Sequence, residues 1–123
     1  MTPEAALHKF FEGFGIPALA ESSVPSDQPY PYLTYQLVVG EWSGGEVNVP
    51  VNLWYRTESE AQPNAMVREM REAIGEGGVT VRCDGGILWL KRGDPWAQAV
   101  TIESGDDKVK RRLINVSVEY LIP

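Results

Sequence analysis

Apolar residues recur in the first fifteen positions at Leu7, Phe10, Phe11 and Phe14, the i, i+3, i+4, i+7 spacing of one helical face. Thr2 is placed to cap this helix, Pro3 suits its first turn, Glu4 complements its dipole, and Gly15 and Pro17 stop it. Residues 16–31 carry Pro17, Pro25, Pro29 and Pro31 among Ser and Asp and read as a loop. Its length reaches the roughly 12–15 residues beyond which loops usually have a task of their own.

From Tyr32 the period becomes two. Leu33, Tyr35, Leu37 and Val39 alternate with Tyr32, Thr34, Gln36 and Val38, and after a Gly-rich segment Val47, Val49, Val51, Leu53 and Tyr55 alternate with Asn48, Pro50, Asn52 and Trp54. This predicts a hairpin with a Gly40–Gly45 tip, mobile because of its three glycines and anchored through Trp42. Pro50 has no N–H for a ladder and marks an edge or a bulge. Two overlapping capping boxes, Thr57–Glu60 and Ser59–Gln62, precede a second helix that runs to about Ile74, with Val67, Met70 and Ile74 inward, and Gly75, Gly77 and Gly78 end it.

A short strand through Val79, Val81 and Cys83 turns at Asp84-Gly85 and returns through Ile87–Leu90. Residues 91–96 read as a loop, 98–102 as a strand, 104–107 as a turn and Val109–Ile122 as a long last strand. The order is helix, hairpin, helix and four strands, which predicts one α+β domain spanning 1–123, a mostly antiparallel sheet with both helices on one face. Phe10, Phe14, Leu37, Leu53, Met70, Ile74, Leu88 and Val116 are its expected core.

The formal charge is −6, which disfavours a sequence-independent grip on nucleic acid. It divides unevenly: residues 1–81 hold four basic and eleven acidic groups, residues 82–123 seven and six. No run approaches the roughly 20 apolar residues of a membrane span. The lone cysteine, Cys83, and the opening Met-Thr-Pro-Glu point to a cytoplasmic protein without an intramolecular disulfide.

His8 is the single histidine, too few for a zinc site and placed by no motif beside Cys83 or a serine. No metal or other cofactor is expected. Asp84, Asp94, Asp106 and Asp107 fall in turns, where Asp bonds its own backbone. The glycine clusters lack the order of a phosphate cradle, and Arg92-Gly93-Asp94 is too short a pattern to carry meaning. What stands out is aromatic: Trp42, Trp54, Trp96, Tyr30 and Tyr32 lie in loops or on the second face of a strand, and Trp and Tyr are preferred interface anchors.

The segments Gln28–Tyr35, Val51–Arg56, Gly85–Gly93 and Arg112–Tyr120, taken together, resemble those of small tailed-phage and prophage tail-completion proteins, the tail terminators that join tail to head. The resemblance runs nearly end to end and implies a non-enzymatic structural protein. It would assemble in the host bacterial cytoplasm and remain in the virion tail. It also implies a ring, commonly hexameric, seated on the tail tube and contacting head–tail connector proteins, without a membrane or specific nucleic-acid partner.

Such a ring needs two unlike surfaces. Lys108, Lys110 and Arg112 alternate along the last strand, share a face and lie in the less acidic part of the chain, so they are expected to meet acidic groups of a neighbour, with Trp42, Trp54 and Trp96 as anchors. The alternatives are a head-side connector or minor tail component, a monomeric protein-binding domain, and an enzyme whose pocket gathers two or more carboxylates.

Overall fold

The computed structural model describes all residues except 40, 41, 43, 44, 103, 104 and 123. The first helix, α1 (Pro3–Glu12), begins as its sequence predicts: Thr2 Oγ1 accepts from the Ala5 N–H at 3.1 Å and Pro3 opens the first turn. Its buried stripe is Ala6, Leu7 and Phe11. Phe10 and Phe14, expected in the core, are half-buried on the flank and pack edge-to-face at 5.5 Å. The stripe is rotated by part of a turn because Leu7 and Phe11, four residues apart, point most directly at the sheet.

The 16–31 segment is more regular than expected. Ala18–Ala20 form strand β1, parallel to β2 (Tyr32–Tyr35), and Glu21–Ser23 form a 3-10 turn. The second strand is shorter than its alternation predicts. In the continued register Gln36 would face Pro50, and the Gln36 N–H does donate to the Pro50 carbonyl at 3.1 Å, but Pro50 has no N–H to return. The ladder stops there. Leu37, expected in the core, is 42% exposed and Val39 is 81% exposed. Most of the expected Gly40–Gly45 tip lies outside the described residues.

Beyond Pro50 the pairing runs long. Strand β3 (Glu46–Arg56) matches β6 (Val109–Leu121) over eleven consecutive positions, from Glu46 opposite Glu119 to Arg56 opposite Val109. Strands β4 (Val79–Cys83) and β5 (Gly86–Val100) form the hairpin predicted around Asp84-Gly85. Residues 91–96, expected as a loop, continue β5 instead: the register with β6 shifts between Arg92 and Ala97, a bulge that contains the cis Asp94–Pro95 bond. The predicted 98–102 strand is the far half of β5.

The sheet has six strands in the order β1-β2-β3-β6-β5-β4, antiparallel except for β1 with β2. Helix α2 (Ala61–Ile74) starts beside the later of the two expected capping boxes without forming it: Glu60 is the N-cap residue and makes no side-chain cap, while Ser59 Oγ accepts from the Ala61 N–H at 3.1 Å just before the first turn, and the helix buries Pro63, Met66, Met70 and Ile74. Both helices lie on one face. Phe11 of α1 packs on Tyr35 with ring centroids 5.2 Å apart, and α2 reaches Arg92 and Arg112, which share the inward phase of the sheet with Val116 and Ile114. Leu53, Leu88 and Val116 are completely buried there. The chain is thus an α+β fold with one helix-covered face of the sheet.

Candidate interaction surface

The helix-covered face ends in charge. Arg112 follows the same alternation as Ile114, Val116 and Val118, which turns it inward beneath the start of α2. Its Nη2 donates to Glu60 Oε1 at 2.7 Å, its Nε to Asn64 Oδ1 at 3.0 Å and its Nη1 to the Arg111 carbonyl at 3.3 Å, and the residue is 6% exposed. Lys110 Nζ lies 3.8 Å from Glu60 Oε2, and Lys108 Nζ 3.5 Å from Glu58 Oε1. The three basic residues do share a face, but the acidic partners expected on a neighbour are here on the same chain. The hydrogen bond from Arg112 holds the Glu60 carboxyl below its usual pKa.

Two of the three expected tryptophan anchors are also engaged within the chain. Trp42 is 5% exposed and its indole N–H donates to Glu4 Oε1 at 3.2 Å, which pins this residue of the predicted tip against α1. Trp96 swings from the β5 bulge to the Val67 carbonyl of α2, at 3.4 Å. Neither is a free surface anchor. Their aromatic character was plain in the sequence, but their direction depends on helices packed across the sheet.

Trp54 is different. It lies on the outward phase of β3, opposite Arg111, and no helix covers that side. Tyr32 stacks on it across the strands, with centroids 6.2 Å apart and planes 17° from parallel, and Tyr30 extends the row at 5.5 Å. Arg111 lies over the indole, its guanidinium carbon 5.2 Å from the ring centroid. Two buried polar groups hold the row: the Trp54 indole N–H donates to Thr34 Oγ1 at 3.1 Å, and Arg111 Nε donates to Asn52 Oδ1 at 2.7 Å. Farther along this face Lys91 bridges Glu46 and Glu119 and lies over Trp89 at 4.1 Å. Hydrogen bonding to Lys91 lowers the Glu46 pKa and to Glu46 raises that of Lys91. The Arg111 contribution was legible only as one more charge; the signal for it was its place opposite Trp54 in the pleat.

Groups with catalytic potential are arranged otherwise. His8 Nδ1 is 2.7 Å from the Tyr35 hydroxyl and Nε2 is 3.4 Å from Glu12 Oε1, so both ring nitrogens are engaged within the chain. Burial first, and Glu12 second, raise the Tyr35 pKa, the opposite of an activated hydroxyl. Burial likewise pushes the Cys83 thiol up.

A pocket of about 360 Å3 does gather the carboxylates of Glu60, Asp106 and Asp107 beside Lys110, Arg111 and Arg112. Glu60 is paired as described. The Asp106 carboxyl accepts from the Lys108 N–H at 3.0 Å and from Arg56 Nε at 3.0 Å, and these bonds keep its pKa low. Held ionised, these two lack the raised pKa of a general acid. A larger groove, about 570 Å3, runs between α1 and β4 and is lined by Phe10, Phe14, Ala6 and Val81, with Lys9 and Arg82 but no carboxylate.

Among the described residues no three His, Cys, Asp or Glu side chains are grouped to hold a metal ion, and no helix is long and apolar enough to cross a membrane. Compared with known proteins, the chain matches no family model, no curated protein and no solved structure.

Proposed function

We propose that this protein is a structural tail-completion protein of a tailed phage or prophage, forming a ring that caps the tail tube and joins it to the head. The resemblance of four segments supplies the identity of the assembly. The observation that carries the reading in the structure is the one-sided sheet: two helices cover one face, and the other presents Tyr30, Tyr32, Trp54 and Arg111 in a fixed row. Tyr, Trp and Arg are the side chains enriched at protein interfaces. Their mutual packing leaves little side-chain freedom to lose on docking.

A ring subunit performs its task by shape and contact, which agrees with polar groups consumed in internal pairing: Arg112 with Glu60, Arg56 with Asp106, Lys91 with Glu46. The test is electron microscopy of tail tubes polymerised with and without the protein. The expected result is a ring of density at one end of each tube. Tubes that remain uncapped at saturating protein contradict the reading and favour a connector, a minor tail component or a monomeric binding domain.

A further inference from the structure

The sheet ends on β1 at one side and on β4 at the other. Strand β4 pairs with β5 up to Cys83 opposite Gly86, across the two-residue turn Asp84-Gly85, and a pair that closes such a turn exchanges both of its hydrogen bonds. By alternation Val81 and Val79 also spend their backbone groups on β5. Thr80 and Arg82, both exposed, turn theirs outward. The next outward group, the Asp84 N–H, donates to the Met1 carbonyl at 2.7 Å, while the Met1 ammonium pairs with the Asp84 carboxylate at 2.6 Å. One residue of main chain thus already extends the sheet at this corner. Among the described residues no hydrogen bond reaches the outward backbone groups of Thr80 and Arg82.

This edge is bordered by apolar surface on both sides. Val81 turns to the helix-bearing side, where the groove of about 570 Å3 separates it from Phe10 and Phe14. On the open side a recess of about 460 Å3 is lined by Ile87, Leu121 and Ile122, and Arg82 borders both. Lys9 and Arg82 are the charged side chains of the two linings, and among the described residues neither has an ion-pair partner. The carboxylates of the adjoining elements do not line either one. Asp84 is held by Met1, Glu4 by the Trp42 indole and Glu12 lies beside His8, while α2 lends the groove Ala73 but neither Glu72 nor Glu76.

We propose that the groove between β4 and α1 receives an extended segment of a partner protein as a further strand, one with apolar side chains at alternate positions and a carboxylate at its flank. Main-chain hydrogen bonds to Thr80 and Arg82 hold the segment. A side chain placed beside Val81 enters the groove between Phe10 and Phe14, and its sequence neighbours pass to the open side. The carboxylate meets Lys9 or Arg82, which selects against a basic segment. This surface is separate from the Trp54 row, so the inference stands or falls apart from the ring reading.

The probe is a short capped peptide alternating leucine and threonine, with glutamate at both ends, titrated into the full-length protein and followed by amide NMR. Saturable binding is expected, with slowed hydrogen exchange at Thr80 and Arg82 and shifts at Phe10 and Phe14. Thr80→Pro removes one outward N–H and leaves the β5 pairs intact, and it is expected to bind at least about tenfold more weakly. Lys9→Glu, at an exposed site, is expected to weaken binding and to shift the preference to a lysine-ended peptide. Circular dichroism melts report folding, and Lys9→Glu with the exchange data carries the test if Thr80→Pro does not fold.

No binding up to about 1 mM peptide, equal binding of a scrambled peptide, or shifts confined to the Trp54 face overturn the proposal. So do folded variants that bind as the parent does. Protection of Thr80 and Arg82 that rises with the concentration of the free protein gives the edge to a second copy and also overturns it.

Discussion

The Arg112 guanidinium donates to Glu60 Oε1 at 2.7 Å across the junction of β6 and α2, and it does so from a nearly buried position. The aliphatic stem of Arg112 continues the core row of Ile114 and Val116, and its head closes the helix start through Glu60 and Asn64. The contact ties the second helix to the last strand.

Arg112→Ala is therefore expected to destabilise the isolated subunit by roughly 1–3 kcal/mol, through lost hydrogen bonds to a charged partner and lost packing. Lys108→Ala, whose 3.5 Å pair with Glu58 is largely exposed, is expected to change stability by about 0.5 kcal/mol or less. Urea unfolding of both variants measures the difference. Equal effects would remove the structural role assigned to Arg112.

Glu60 also fixes a dependence on pH. Its carboxyl titrates lower in the folded protein than in the unfolded chain, chiefly because of the Arg112 hydrogen bond, so between the two pKa values the unfolded chain binds more protons. The stability it contributes is present above the unfolded value of about 4.3 and is lost as pH falls through the lower folded value. Glu60→Gln is expected to flatten the fall of stability over that acid range. Unfolding midpoints measured from pH 6 down to the acid limit check this, and an unchanged slope would count against it.

The core makes a sharper contrast. Phe11 is completely buried between Phe10 and Tyr35, and Phe11→Ala is expected to lose about 3–5 kcal/mol, as for a buried aromatic truncated in a close-packed interior. Phe14→Ala, at a half-buried ring just past the end of that helix, is expected to lose clearly less. Reversal of that order in denaturant titrations would place the helix stripe wrongly.

Gly86 tests the β5–β6 register. A Cβ built there falls inside contact distance of the Leu121 carbonyl oxygen, which is backbone and cannot rotate away. Gly86→Ala is expected to destabilise by about 1–3 kcal/mol, the usual penalty of overpacking. A neutral substitution, read by thermal melting, would contradict the close approach of the two strands.

The helices and most strands are legible in the sequence because their periods of 3.6 and 2 persist for many residues. Strand β1 is not: Ala18–Ala20 is too short to show a period and exists through its pairing with Leu33–Tyr35. The sequence predicts two strands in place of β5 because Gly93, Asp94 and Pro95 carry every local sign of a loop, whereas pairing with β6 carries them through as a bulge.

The interaction surface divides the same way. Trp54 was on the second face of its strand by alternation alone. Arg112 is equally readable from its phase with Ile114 and Val116, which places it inward, although its charge alone suggests the surface. Trp42 and Trp96 required knowledge of where α1 and α2 lie, and no local pattern holds that information.

The central claim is that copies of this chain close into a ring on a tail tube. Native mass spectrometry of the purified protein, alone and with tail tubes, tests it most directly. The account predicts a single closed stoichiometry, such as six copies, present in free solution or formed on contact with tubes and independent of concentration once formed. A mass of one subunit at every concentration, with tubes and without, would contradict it.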